Sequence, residues 1–166
     1  TRLGFEFADT KKRAEASHRI RQALDAAATN VMVTDAGYNI VYANTALKAT
    51  LAGAEADIRA ALSNFDAAQV VGSNIDVFHK DPAHQRGLLD RLQGQHTTRL
   101  VLGGRTFDLI INPVVGDDRR IGVAVEWKDM TAELAAREAE RAAQEKERRI
   151  AIENARVRAA LDAAPM

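Results

Sequence analysis

Residues 74–92 read NIDVFHKDPAHQRGLLDRL, and this stretch predicts a sharp turn that leads directly into a helix. Asp81 is suited to cap that helix, because its carboxylate can accept hydrogen bonds from the free N–H groups of the first turn. Pro82 follows at the first helical position, where a backbone N–H group is not needed. His79 is therefore expected on the turn before the helix, and His84 in the first helical turn.

The two histidines of this stretch are candidate metal ligands. A helix N-terminus is positive and disfavours imidazolium, and neutral imidazole is the form that binds a metal. Packing or capping is the more common role of such side chains, and the spacing alone does not identify a ligand. The helix is expected to continue through Leu88, Leu89 and Leu92 and to end at Gly94, a residue type that favours the left-handed cap.

Alternating and β-branched segments on both sides of this stretch predict a sheet. Residues 30–43, NVMVTDAGYNIVYA, are typical of a hairpin around the DAGY turn. Three further strands are predicted at 95–102, 105–115 and 121–127, and Gly103-Gly104 is suited to a tight turn between the first two. Five strands with helices inserted between the second and third predict an α+β domain with a five-stranded antiparallel sheet.

Helices are predicted within and around the sheet. Residues 44–61 are expected to form two short helices with a break at Gly53. Residues 10–28 are charged and rich in alanine, which predicts a helix that leads into the domain.

The segment 132–166 predicts one long helix by its composition. Its apolar positions step by 4, 3 and 4 residues, as in a coiled-coil seam, at Ile150, Asn154, Val157 and Leu161. A single solvated helix with ion pairs along its surface is an equally good interpretation.

Two short internal repeats predict that this chain is a segment of a longer array of similar structural units. IRQALDAAATNVM near the start resembles VRAALDAAPM at the end, and EFADT resembles EWKDM. Phe5 and Phe7 alternate with other residues as in a half-buried strand. Residues 1–9 are therefore interpreted as the tail of a preceding unit.

Composition narrows the functional classes. The 23 basic and 23 acidic residues cancel, so nothing suggests a nucleic-acid or anionic-membrane partner. No transmembrane or signal-peptide pattern is seen, and the absence of cysteine is consistent with a cytoplasmic protein and excludes thiolate chemistry. An enzyme is not expected, because the sequence shows no nucleophile–base set and no phosphate-binding loop.

The order of these elements resembles the PAS fold over residues 29–131, with long helices on both flanks and short helices on one face of the sheet. The segments that carry the resemblance are VMVTDAGYNIVYAN, DPAHQRGLL, LGGRTFDLIINPV and IGVAVEWKDMTAE. More narrowly, IDVFHKDPAHQ together with Trp127 is similar to the haem-binding PAS domain of soluble, aerotaxis-type bacterial chemoreceptors.

This resemblance implies a sensor of oxygen or a related gas. Haem b would be bound noncovalently, with His79 as the axial ligand of the iron and Trp127 as a donor to bound oxygen. Leu109 would line the distal side, and His84 falls on the second histidine of the motif, without an assigned role. Candidates by residue type for the haem propionates are Lys48, Lys80 and Arg99, whereas His18 and His96 are expected to be exposed and uninvolved.

A haem-free PAS module is the alternative. It would serve as a dimerisation or spacing unit between neighbouring PAS units of a methyl-accepting chemotaxis protein, with the homodimer formed through residues 10–28 or 132–164. His79 and His84 would then be structural. A PAS domain that binds FAD is a third, weaker possibility, restricted to redox sensing because cysteine adduct chemistry is excluded.

Overall fold

The computed structural model describes residues 1–165. The elements follow in the order α1 (Arg2–Ala26), β1 (Asn30–Asp35), β2 (Ile40–Ala43), α2 (Thr45–Ala61), α3 (Pro82–Asp90), β3 (His96–Leu102), β4 (Arg105–Gly116), β5 (Arg119–Asp129) and α4 (Thr131–Asp162). Two 3-10 turns, Ala67–Gln69 and Ile75–Phe78, lie between α2 and α3.

The five strands form one antiparallel sheet in the order β2-β1-β5-β4-β3, so the predicted fold class is confirmed. The first and last strands are neighbours near the centre, and Asn30 pairs with Trp127. Gly103 and Gly104 have φ angles of 57° and 84°, as the predicted tight turn requires. A Cβ atom on Gly103 would lie 1.5 Å from the carbonyl oxygen of Asp57, so a side chain cannot be accommodated there.

The core lies between one face of this sheet and α2. The amphipathic spacing of α2 buries Leu47, Leu51, Ala54 and Ile58. Every second residue of the central strands contributes to the same cluster, including Met32, Phe107, Leu109, Ile111, Val123, Val125 and Trp127.

Asn44 joins three elements at the base of α2. Its side-chain oxygen accepts hydrogen bonds from the backbone N–H groups of Val31 at 3.0 Å and Leu47 at 3.1 Å. Its amide nitrogen donates to the carbonyls of Leu24 at 2.9 Å and Thr29 at 2.7 Å. This fully buried amide therefore connects the end of α1 and the start of β1 to the N-terminus of α2.

Three expectations about local structure are wrong. Phe5 and Phe7 are exposed in α1 and do not belong to a strand. No strand in the described part of the chain pairs with residues 1–9. Without such a partner the segment forms a helix, because a helix satisfies its own backbone hydrogen bonds. The assignment of residues 1–9 to a preceding unit stays a prediction.

The other two corrections concern helix ends. Gly53 lies inside one continuous helix rather than at a break, because Leu51, Ala54 and Ile58 keep the helix packed on the core. Helix α3 ends at Asp90, four residues before Gly94, where Arg91 leaves the helical conformation. The predicted cap by Asp81 is confirmed, since its carboxylate accepts from the backbone N–H of His84 at 3.4 Å.

The chain divides into two compact units, residues 1–129 and 130–166. Of the second unit the structure describes residues up to 165, which consist mainly of α4. Ile150, Val157 and Leu161 are exposed along this helix, and ion pairs such as Arg137–Glu133 run along its surface. Among residues 1–165, no helix combines the length and the apolar character needed to cross a membrane.

Candidate functional site

A cavity of about 340 Å³ opens inside the first unit, within the usual size range of small-molecule sites. The inner face of the sheet contributes one wall, and the segment from Ile75 to Gln95 contributes the other. Most of the deep lining is apolar, with Met32, Phe78, Leu89, Leu109, Val125 and Trp127 among the residues that form it.

His79 lies at the edge of this cavity, directly after the 3-10 turn Ile75–Phe78. Its backbone N–H donates to the carbonyl of Asp76 at 3.0 Å, which fixes the end of the turn. Burial lowers the pKa of the His79 imidazole below its ordinary value, and the nearby Asp76 carboxylate offsets part of this effect. The neutral ring is therefore favoured, and this is the form that can coordinate a metal.

Trp127 lies on β5 and is only 3% exposed. Its indole Nε1 is the one buried side-chain nitrogen or oxygen in residues 1–165 that has no hydrogen-bond partner. The ring is held by Phe78, at a centroid distance of 5.0 Å, and by the edge-on ring of Phe107 at 5.5 Å. A buried donor without a partner costs about 1–3 kcal/mol, so the position favours an acceptor that enters the cavity.

Leu109 and His84 occupy different environments. Leu109 pairs directly with Trp127 across β4 and β5, is 6% exposed, and lines the cavity. His84 is exposed on α3 and is not part of the lining. The structure thus brings three of the four predicted site residues to one cavity and leaves His84 outside it.

Of the three cations suggested by the sequence, only Arg99 lines the cavity. Arg99 contributes to the lining and forms two hydrogen bonds with Asp108, at 2.6 and 3.0 Å. Lys48 and Lys80 are not part of the lining, whereas Arg91, at the C-terminal end of α3, is.

His96 is exposed, as expected, but it also lines the cavity. The sequence contained a signal for this position, because His96 lies in phase with Leu100 and Leu102 along β3. Its place at the rim could have been predicted from that alternation.

The chain resembles known proteins in both sequence and structure. A family model for the PAS domain matches residues 18–82. The solved structure of the Aer2 receptor from Vibrio cholerae, described as a dual PAS-haem oxygen sensor, is 36% identical, with a TM-score of 0.56. The match covers 62% of this chain and 95% of that one.

The chain belongs to the PAS domain family. Its PAS domain is also similar to the methyl-accepting chemotaxis protein McpB of Pseudomonas aeruginosa, with 53% identity over 116 residues. That match covers 69% of this chain and only 17% of McpB. The PAS domain of an HTR-like protein from Haloarcula marismortui is 15% identical, with a TM-score of 0.54 over 74% of this chain and 98% of that one, and shows the fold alone.

Proposed function

We propose that this PAS domain is a sensory unit of a cytoplasmic bacterial chemoreceptor, and that it binds haem b and detects oxygen or a related gas. The relatives support this proposal, because one is a methyl-accepting chemotaxis protein and another is described as a PAS-haem oxygen sensor. The role is sensory rather than enzymatic.

The residues of the cavity fit a haem. His79 offers a neutral imidazole as the iron ligand, and the apolar walls suit a porphyrin held without covalent attachment. Arg91 at the lining suits its carboxylates by charge, whereas Arg99 is already paired with Asp108. When bound, haem would supply an iron atom that can bind a diatomic gas.

Trp127 provides the recognition of that gas. Its unpaired Nε1–H is a donor only, so it favours a ligand with an acceptor atom. Trp127 is two residues before the end of β5 at Asp129, and α4 begins at Thr131. A shift of this strand would therefore be passed along the chain to α4, and a coupling of about 1–3 kcal/mol is typical for such a response.

The observation that carries the proposal is the buried indole donor without a partner, in the cavity that His79 also lines. The test is the absorbance spectrum of the protein reconstituted with haem. We expect a Soret band that His79→Ala abolishes and that His84→Ala, outside the cavity, leaves intact. An unchanged spectrum in His79→Ala would remove His79 from the mechanism.

Trp127→Phe separates gas recognition from haem binding. The variant should keep the Soret band but lose oxygen affinity by on the order of tenfold, because one hydrogen bond is removed. Carbon monoxide, a poorer acceptor, should lose less affinity. Equal losses for both gases would contradict the donor role of Trp127.

The exposed apolar residues of α4 support a second candidate, a haem-free module that dimerises through its flanking helices beside other PAS units. Ile150, Val157 and Leu161 are 51%, 49% and 71% exposed. This candidate predicts a colourless protein that is dimeric by light scattering and becomes monomeric in Val157→Glu. Tight, stoichiometric haem binding in a titration would reject it.

A further inference from the structure

Helix α3 forms part of the cavity wall, yet none of its residues is fully buried. Leu88 is 41% exposed, and Leu89 is only partly buried against the core. Apolar contact alone therefore holds this helix weakly, and polar interactions at its middle and at its C-terminal end become important for its position.

From its middle, α3 is tied to the turn that precedes His79. Arg86 donates to both carboxylate oxygens of Asp76, at 3.1 and 2.7 Å, and to Asn74 Oδ1 at 3.1 Å. The Asp76 carbonyl in turn accepts from the backbone of His79. Residues 74–92, named here the cavity flap, are thus joined internally by hydrogen bonds.

At its C-terminal end, the flap is tied to the sheet by three side chains. The hydroxyl of Tyr38 donates to Asp90 Oδ1 at 2.5 Å, and Arg120 of β5 donates to the same hydroxyl at 3.0 Å. Arg120 also donates to the carbonyl of Leu89, and its guanidinium lies 5.7 Å from the centre of the Tyr38 ring.

Tyr38 is itself firmly placed. It is 5% exposed and has a φ of 65°, a conformation that is uncommon for a bulky residue and indicates constraint by its surroundings. Its N–H donates to the Asp35 carbonyl at 3.1 Å, and its carbonyl accepts from Ile75 at 3.0 Å. Burial and the Asp90 carboxylate raise the pKa of Tyr38 to about 12, so the hydroxyl remains a donor.

We propose that Tyr38, Asp90 and Arg120 form a latch that holds the cavity flap against the sheet and slows the entrance and exit of the cavity's ligand. The part that concerns haem rests on the proposed function. The latch itself concerns the opening of the flap and is independent of which ligand is bound.

The first experiment measures the flap in the haem-free protein by amide hydrogen exchange over residues 79–92. Asp90→Ala removes the hydrogen bond that Tyr38 donates, and Tyr38→Phe removes this bond together with the one accepted from Arg120. Amide exchange there should therefore become at least about fivefold faster in each variant. Tyr42→Phe is the matched control, because its hydroxyl makes a comparable bond to Asp25 at 2.7 Å and is not part of the cavity lining. Asp90 is largely exposed, so Asp90→Ala keeps the test valid if Tyr38→Phe folds poorly.

The second experiment measures transfer of haem from the loaded protein to excess apomyoglobin. Both latch variants should lose haem at least about fivefold faster with an unchanged Soret position, and the double variant should be no faster than Tyr38→Phe alone, because that change already removes the bond to Asp90. Unchanged amide hydrogen exchange in both latch variants would overturn the latch. Faster amide exchange with an unchanged rate of haem loss would show that the latch does not control haem exit. A protein that binds no haem would refute the proposed function, while the exchange result would still decide the latch.

Discussion

Replacing Asn44 with alanine tests whether one buried amide holds the N-terminal half of the domain together. Alanine removes all four hydrogen bonds of this side chain. The N–H of Leu47 loses its cap in a fully buried place, and the N–H of Val31 loses its partner at the start of β1. Thr29 is exposed and Leu24 is half-buried, so water can replace the amide at their carbonyls.

The loss of stability follows from these environments. The N-cap contributes about 1 kcal/mol. An uncompensated, half-buried N–H at Val31 costs a further 1–2 kcal/mol, roughly, and the two carbonyls add about 0.5 kcal/mol because water can replace the amide. We therefore expect Asn44→Ala to lower the free energy of unfolding by about 3 kcal/mol, a large share of the stability of a small domain.

Urea denaturation followed by circular dichroism measures this difference. Asn39→Ala is the control, because the Asn39 side chain is the same amide and makes two hydrogen bonds in an exposed turn. Asn39→Ala should lower the free energy of unfolding by less than about 1 kcal/mol. Equal losses in the two variants, or a loss below about 1 kcal/mol for Asn44→Ala, would refute the account of this amide as the junction of α1, β1 and α2.

Further predictions concern pH dependence and glycine positions. In the haem-free protein, burial keeps the pKa of His79 below its ordinary 6.5. As the pH drops, His79 is therefore protonated in the unfolded chain before it is protonated in the folded one. The free energy of unfolding should fall between pH 6.5 and the lower pKa of the folded state. His79→Leu should reduce this slope in urea titrations between about pH 5 and pH 8, and an unchanged slope would contradict burial of the ring. Gly53→Ala should stabilise the domain by about 1 kcal/mol, because the added methyl group meets open space in mid-helix, and a loss of stability would indicate that the helix is broken there. Gly103→Ala should destabilise the domain by more than about 2 kcal/mol, because the new Cβ would collide with the Asp57 carbonyl and the φ angle of this residue is positive. A urea midpoint equal to that of the unsubstituted protein would contradict this.

Local chemistry made much of the fold predictable. The Asp81-Pro82 pair identifies a helix start because capping depends only on neighbouring atoms, and Gly103-Gly104 identifies a turn for a similar reason. Gly53 suggests a helix break, because a lone glycine weakens a helix. The helix continues through it because the packing of Leu51 and Ile58 in the core compensates for this weakness.

The candidate site was predictable in part. The period of two along β5 places Trp127 on the inner face, but whether its N–H finds an acceptor depends on groups distant in sequence. The latch was not predictable, because Tyr38 and Arg120 are 82 residues apart and the DAGY turn that contains Tyr38 does not indicate the partner of its hydroxyl. Such long-range polar contacts become visible only when the sheet order is known.

The central pairing of β1 with β5 has a consequence for synthesis on the ribosome. Residues 30–35 bond to residues 122–127, so the middle of the sheet stays open until almost the whole domain has been translated. Until then the edge of β1 that later pairs with β5 stays open in the nascent hairpin, and contacts between such distant residues slow folding. A chaperone that shields this edge during translation would therefore act on the step at which the domain is most prone to misassembly.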